Sequence, residues 1–295
     1  MKDYFGYTGQ VCVVTGAASG MGKATAEMLV DLGAEVYGLD RNPVDIPGMK
    51  KFIQVNLGDP ASIDAAFAEL PSVIHKFFGI AGVSGAKNTF NEVYIINFIS
   101  NKYMTEKYLI DRIPDGGAVA YMSSQAGAVW KGYKEEFTDI TDCDEGWDEC
   151  VRRLEAKGGV APLGGYGLSK RSLTYYAKKM ADELGHREVR FNVVSPCNTI
   201  TGLIEEFRGY SGSYEASKAM WGSIKREATA QEMANCIVFL NSQLATIVSG
   251  CDLAADGASR STIDIGRRPD ISDHGCLEGL DWKKRSEKVV AEVEK

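Results

Sequence analysis

The chain has 295 residues, 33 of them basic and 40 acidic, a formal net charge of −7, and 44% hydrophobic and 25% charged residues. These are globular proportions, so disorder is excluded as the overall state, and an acidic balance with no long basic block argues against a nucleic-acid partner. Glycine stands out at 32 residues, above a typical ~7%, and its scatter without a G-X-Y period excludes collagen and points to sharp backbone turns.

The N-terminal region carries only a four-residue apolar run, Val11 to Val14, too short for the core of a signal peptide. Val11–Thr15 reads as the first strand, and Met21–Leu32 as a helix stopped by Gly33. Glu35–Asp40 and Phe52–Asn56 supply two more strands, Ser62–Leu70 a helix, and Lys76–Ile80 a fourth strand. A long helix falls within Phe90–Ile113, followed by a strand at Ala118–Met122. Leu168–Leu184 is helical, Arg190–Ser195 a strand, Ala230–Leu240 helical and Gly250–Leu253 a last strand. This alternation predicts one α/β domain, a Rossmann-type doubly wound parallel sheet with helices on both faces and right-handed crossovers.

Two segments depart from the alternation and leave a core of about 10–257. In the first, about 128–163, Trp147, Cys150, Val151 and Leu154 have i, i+3, i+4, i+7 spacing. A short amphipathic helix is predicted there, with an acidic outer face from Asp144, Glu145, Asp148 and Glu149. The second is a C-terminal extension, about 258–295. No stretch reaches the ~18 apolar residues of a membrane span, because Lys76, Lys102 and Asp111 interrupt the best candidates. The seven cysteines form no C-x-x-C pair, and their odd number with no export signal fits reduced thiols in a cytoplasmic protein. His75, His186 and His274 stand apart from one another and from any cysteine pair, so no metal site is expected.

Thr15-Gly16-Ala17-Ala18-Ser19-Gly20-Met21-Gly22 stands where the first strand hands over to a helix. A tight turn there brings backbone N–H groups and a helix N-terminus against a pyrophosphate, an approach that side chains would block. The bare pattern also suits a plain strand-to-helix turn. Asp40, 18 residues after Gly22 at the end of the second strand, favours the nucleotide reading. Its carboxylate accepts from ribose hydroxyls and repels a 2′-phosphate; Arg41 softens that repulsion, and on balance NAD is expected over NADP. Asn56 ends the third strand, where it could accept from an adenine amino group, with Leu57 next to it as a further expected cofactor contact, and Gly79-Ile80-Ala81-Gly82 ends the fourth, where Ala81 and Gly82 would allow close cofactor approach.

Tyr166 and Lys170 stand four residues apart on one helix face. A free tyrosine, with a pKa of about 10, is a poor base at neutral pH, and a neighbouring ammonium favours its phenolate. The same Tyr-x-x-x-Lys spacing occurs at Tyr103/Lys107, Tyr175/Lys179 and Tyr214/Lys218. Context selects Tyr166: a strand ending in Ser123-Ser124 precedes it, and a helix and the strand Val193-Val194-Ser195-Pro196 follow.

On the glycine turn, Asp40, Asn97, Ser124, the Tyr166/Lys170 pair and Pro196 to Thr201, the chain is identified as a member of the short-chain dehydrogenase/reductase family. The resemblance implies Tyr166 as general acid/base and Ser124 as donor to the reacting oxygen. It further implies Lys170 as ribose ligand and tuner of Tyr166, and Asn97 as support for a water in a proton relay. Cofactor contacts are implied at Pro196, Asn198, Thr199 and Thr201. Three positions depart from the pattern: Asn56 stands for an Asp, Gly79-Ile80-Ala81-Gly82 for Asn-Asn-Ala-Gly, and Pro196-Cys197 for Pro-Gly.

The insertion resembles that of the bacterial 3α-hydroxysteroid dehydrogenase/carbonyl reductase branch, where it covers a helix face used elsewhere for dimerisation. Leu203, Ile204, Phe207, Tyr210, Tyr214, Met220 and Trp221, with Trp130, Phe137 and Trp147 from the insertion, offer an apolar mouth. The expected activity is NAD-linked interconversion of a secondary alcohol and a ketone, a 3-hydroxysteroid or bile acid above all, by a homodimer or homotetramer. A reductase of 3-oxoacyl or other small carbonyl substrates would want a basic docking surface, of which Lys218, Lys225 and Arg226 give only a trace. A nucleotide sensor without turnover would be expected to lack Tyr166 or Lys170, and both are present.

Overall fold

The computed structural model describes residues 3–159, 161–211, 213–270 and 276. Runs rich in Val, Ile, Phe and Tyr form β1 (Val11–Thr15), β2 (Glu35–Asp40), β3 (Lys51–Gln54), β4 (Lys76–Gly79), β5 (Ala118–Met122) and β6 (Arg190–Pro196); β4, β5 and β6 are buried throughout, whereas β3 is a partly exposed edge strand. They build one sheet in the order β3-β2-β1-β4-β5-β6, with a seventh strand, Asp252–Ala255, beside β6. Every pairing is parallel. The order reverses between β1 and β4, and at such a switch point the loops after the strands part to leave a crevice. Thr15 is in register with Leu39 and Gly79, so Gly16, Asp40 and Ile80 emerge together at its mouth.

Helix α1 (Gly20–Asp31) and the helix Ala230–Asn241 bury Leu29, Ile237 and Val238 against one face of the sheet, beside Val36 and Phe78. The other face is covered by Pro162–Glu183 and a helical run over 90–112, joined through Phe98, Leu173, Tyr176 and Phe191. Each such fully buried apolar side chain contributes about 1.5–3 kcal/mol. The run alternates α turns with two π turns, Ile95–Ile99 and Thr105–Leu109. Asn97 sits in the first, and its carbonyl accepts from Asn101 Nδ2 (3.0 Å).

The insertion is helical, with 3₁₀ turns over Trp130–Glu136 and α-helices at Thr138–Thr141 and Trp147–Ala156. Phe137, Ile140, Cys143, Cys150 and Leu154 are buried. Trp147 stacks edge-on to Tyr103 of the long run at 5.4 Å, and Trp130 and Phe137 each lie 5.6 Å from Tyr175. The insertion therefore lies over the outer side of both helices. Its acidic face is less acidic than expected, because Arg153 binds Glu145 and Glu149, and Arg152 also binds Glu149.

Boundaries shift where side chains compete for the backbone. The third strand stops at Gln54 because Asn56 N–H donates to Ser62 Oγ (2.9 Å) and Asn56 Oδ1 accepts from Gly58 N–H (3.1 Å), which makes a turn. The helix expected from Leu168 begins at Pro162, a residue suited to a first helical position. The last strand starts at Asp252, since Gly250 is in a left-handed turn (φ +70°). Among the described residues no helix is long and apolar enough to cross a membrane, and all seven cysteines are free. His274 and the extension beyond Asp270, Cys276 excepted, lie outside the described residues.

Candidate active site

At the end of β1 the chain must turn at once into α1. Gly16 (φ +76°) and Gly20 (φ +55°) adopt left-handed backbone there. A Cβ on Gly22 would stand 2.0 Å from the Gly16 carbonyl oxygen, and one on Gly16 would stand 2.9 Å from Ala81. The cradle therefore admits only glycine. Ser19, the N-cap of α1, is exposed and makes no side-chain cap, and no acidic residue lies in the first turn, so the positive helix end faces outward. Asp40 Oδ2 accepts from Ala18 N–H (3.0 Å) and Oδ1 from Asn42 N–H (2.9 Å), which fixes a carboxylate at the rim beside exposed Arg41. Cradle, helix end and carboxylate suit the pyrophosphate and ribose of a dinucleotide.

Two expected contacts serve the cradle from below instead. Thr15 is buried, and its Oγ1 accepts from Ile80 N–H (3.0 Å) and Ala81 N–H (3.1 Å), tying β1 to β4. Leu57 is buried in the core next to Ile53 and Val55. Neither side chain is open to a cofactor. Asn56 is exposed, with its Oδ1 engaged by Gly58.

The chemical groups come from β5 and the Pro162–Glu183 helix. Ser124 leaves β5 in extended conformation, accepts from Ala126 N–H (3.2 Å) and places its hydroxyl beside the Tyr166 phenol. Burial pushes the Tyr166 phenol up to about 12, and the neighbouring Ser124 hydroxyl pulls it back only in part. Lys170 Nζ lies 5.5 Å from the Tyr166 ring centre and donates to the Met122 carbonyl (2.8 Å). Burial lowers it to about 8. The Ser124 hydroxyl offsets part of the burial of the phenol, and Lys170 is itself less readily charged for being buried.

Asn97, fully buried, clamps Val83: its Oδ1 accepts from Val83 N–H (2.8 Å) and its Nδ2 donates to Val83 O (3.0 Å). A Cβ on Gly82 would lie 3.2 Å from Asn97 Oδ1 and 3.6 Å from Lys170 Nζ, so the loop after β4 lies close against Lys170. Ser123, which carried no mechanistic expectation, bonds to Lys170 O (3.2 Å) and Thr174 Oγ1 (2.7 Å) and pins the helix to β5.

Above Tyr166 is a cavity of about 230 Å³. Ser124, Tyr166 and Lys170 line it together with Met21, Gly82, Pro196, Asn198, Thr199 and Thr201, so the catalytic and cofactor ends meet in one space. Leu203, Phe207, Tyr210 and Met220 form the apolar lid, and Phe207 lies edge-on to Tyr166 at 5.2 Å. The other expected mouth residues are elsewhere. Ile204 is buried, Tyr214 is exposed beside Trp221, and Trp130, Phe137 and Trp147 pack between the insertion and the helices beneath it, against Tyr175 and Tyr103. Apolar residues fill the core of an insertion before they reach a pocket, because nothing else there can bury them.

Gln125, Leu163, Gly167 and Arg171 also line the cavity. Pro162 marked the helix start that brings Leu163 there, whereas Arg171 had no signal beyond following Lys170. The competing Tyr-x-x-x-Lys pairs are surface pairs: Lys107 donates to Tyr103 (2.6 Å), Lys179 to Asp142 (3.0 Å), and Lys218 lies over the Tyr214 ring. Among the described residues no group of three or more His, Cys, Asp or Glu could hold a metal.

The family model described as short chain dehydrogenase matches residues 10–134, and one described as enoyl-(acyl carrier protein) reductase matches residues 150–258. A coniferyl-alcohol dehydrogenase from Pseudomonas sp. (strain HR199 / DSM 7063) is 33% identical over 256 residues, 86% of this chain and 98% of that protein. A 3-oxoacyl-(acyl-carrier-protein) reductase from Escherichia coli (strain K12) is 26% identical over 260 residues, 85% of this chain and 97% of that protein. Among solved structures, the 3-alpha-hydroxysteroid dehydrogenase from Pseudomonas sp. B-0831 complexed with NADH matches with a TM-score of 0.73 and 23% identity, covering 87% of this chain and 99% of that one.

Proposed function

Because the chain belongs to the short-chain dehydrogenase/reductase family, oxidoreductases of alcohols and ketones, we propose that it is an NAD(H)-linked dehydrogenase of apolar, ring-bearing alcohols. A 3-hydroxysteroid or bile acid is the substrate that the sequence resemblance implies. The observation that carries the reading is that Ser124, Tyr166 and Lys170 line one cavity whose lid is Leu203, Phe207, Tyr210 and Met220.

When bound, the nicotinamide supplies the hydride acceptor, or in reverse the donor. Tyr166 Oη takes the alcohol proton during oxidation and returns it to the ketone oxygen during reduction. Ser124 Oγ donates to the same oxygen as charge develops on it. Lys170 holds the ribose and adds what positive charge its burial leaves. The apolar lid excludes water from the hydride path.

Asp40 carries the preference for NAD. Asp40→Ala is expected to lower the ratio of kcat/KM for NAD over NADP by at least about tenfold, the size of one lost charged hydrogen bond plus relieved repulsion. The ratio matters, because loss of the bond from Ala18 N–H loosens the turn for both cofactors alike. Parallel rates with the two cofactors, in an unchanged ratio, would refute this role.

A second reading, a one-ring aryl alcohol, has its own support. The cavity, at about 230 Å³, is below the ~300–1,000 Å³ of pockets that enclose drug-sized ligands, and it includes the nicotinamide end. The similarity to a coniferyl-alcohol dehydrogenase points the same way. A carrier-protein substrate is disfavoured, since Lys218 is neutralised by Glu215 and Arg226 by Glu232. The test is a spectrophotometric panel of 3-hydroxysteroids, aryl allylic alcohols and short aliphatic alcohols with NAD and with NADP. Turnover of ring-bearing alcohols is expected, and activity confined to the short aliphatic alcohols would sink the proposal.

A further inference from the structure

The C-terminal extension, which the catalytic account does not use, begins beside the catalytic loop. Asp256, buried, accepts from Ser259 N–H (3.1 Å) and Arg260 N–H (2.7 Å), and also from Nε2 of Gln125 (3.4 Å), the neighbour of Ser124. Between these contacts Ala258 is held left-handed (φ +69°), a strained backbone for a residue with a Cβ. The strain is maintained where the extension leaves the core and crosses the far end of the lid.

That crossing is tight. A Cβ on Gly222 would lie 2.1 Å from Gly257 O and 2.4 Å from Ser259 N, and Ile224 N–H donates to Gly257 O (3.0 Å). Ser259 Oγ donates to the carbonyl of Met220 (3.4 Å), and Arg268 Nη1 donates to the carbonyl of Trp221. Arg260 braces the extension by pairing with Asp264 (2.8 Å) and Asp270 (2.7 Å). At the other side of the cavity, Cys276 is buried, and its Sγ would lie 2.8 Å from a Cβ on Gly167, a cavity-lining residue. The described residues of the extension thus lie against both walls of the cavity, and none of them is among its lining residues.

From these contacts we infer that the extension is a strap that holds the distal end of the lid closed, with Arg268 as its positioning residue, and that it sets how bulky an alcohol the cavity admits. Two backbone carbonyls, those of Met220 and Trp221, are fixed by side chains of the strap, and the Met220 side chain forms part of the lid. Releasing Trp221 frees Met220 to swing outward and widens the cavity without altering Ser124, Tyr166 or Lys170. The inference rests on the cavity being the substrate site.

The test uses the full chain, with Arg268→Ala and, as the conservative control, Arg268→Lys, which keeps a donor. Limited trypsin digestion under native conditions is expected to cleave after Lys218, inside the lid, at least about fivefold faster in Arg268→Ala and within about twofold of the parent in Arg268→Lys, local opening being what exposes the bond. Cleavage after Lys50, exposed and remote, serves as the reference. A rate after Lys218 equal to the parent's, or an equal rise at Lys50, overturns the strap. In kinetics, Arg268→Ala should raise the ratio of kcat/KM for a four-ring over a one-ring alcohol several-fold, with NADH affinity unchanged. An unchanged ratio overturns the specificity role. If the parent turns over no ring-bearing alcohol, it is the functional reading that fails, and the digestion alone decides the strap.

Discussion

Tyr166→Phe is expected to lower kcat/KM for alcohol oxidation by about 10²–10⁴-fold, the usual worth of a positioned general acid/base. Tyr214→Phe should stay within about twofold, as for a surface substitution. The phenylalanine keeps the edge contact with Phe207 and removes only the hydroxyl beside Ser124, so folding and NADH binding should be unchanged. The pH profile supplies an independent check. Burial pushes the Tyr166 phenol up to about 12, so the basic form is scarce at neutral pH and grows about tenfold per unit below that value. Oxidation should therefore climb with pH through the neutral and mildly alkaline range. Ketone reduction, which uses the protonated phenol, should not climb. Steady-state rates in both directions from pH 6 to 10 measure this; an inactive Tyr214→Phe would place the chemical centre elsewhere.

The parts of the fold legible in the sequence were those in which one force dominates. β1 and β5 begin and end where their apolar runs do, because strands buried along nearly their whole length leave no competing pattern, and β2 runs from Glu35 to Asp40 as expected from the apolar residues between those two acids. The glycine cradle was readable because Gly16 and Gly22 answer steric demands that no other residue meets. Tyr166 was separable from its three rivals only by its place after β5, since local spacing says nothing about what lies opposite in space. Where several forces compete, the reading fell short. Asn56 serves its own turn and ends β3 early, and Thr15 turns its hydroxyl to the β4 loop. Aromatic residues of the insertion satisfied the pattern of a substrate mouth and equally that of a core. Burial chose the core. The Asn97 clamp on Val83 and the Arg268 contact with the Trp221 carbonyl join residues distant in sequence, and no periodicity announces such contacts.

Lys170→Met, which keeps the stem of the side chain up to Cε and removes its charge and donors, separates the two demands on that lysine. Activity should fall about 10²-fold or more, the low end of what an acid/base system loses with its tuning partner, since the variant offers no donor to a ribose and no charge near Tyr166. Stability should follow a different course. Burial lowers Lys170 to about 8 from the usual lysine range, so the folded state releases this proton at lower pH than the unfolded chain does. Between about pH 8 and the ordinary lysine value near 10.4 the unfolded state binds more protons, and stability rises with pH over that window. The parent gains this increment and Lys170→Met does not. The variant's Tm minus the parent's should therefore decrease as pH is raised from 7 to 10, about an offset set by the Met122 carbonyl left without its donor. A pH-independent difference in Tm would mean that the lysine stays fully charged in the fold. The loss of activity would then reflect its charge alone, and the weakening of that charge by burial would have no part in setting Tyr166.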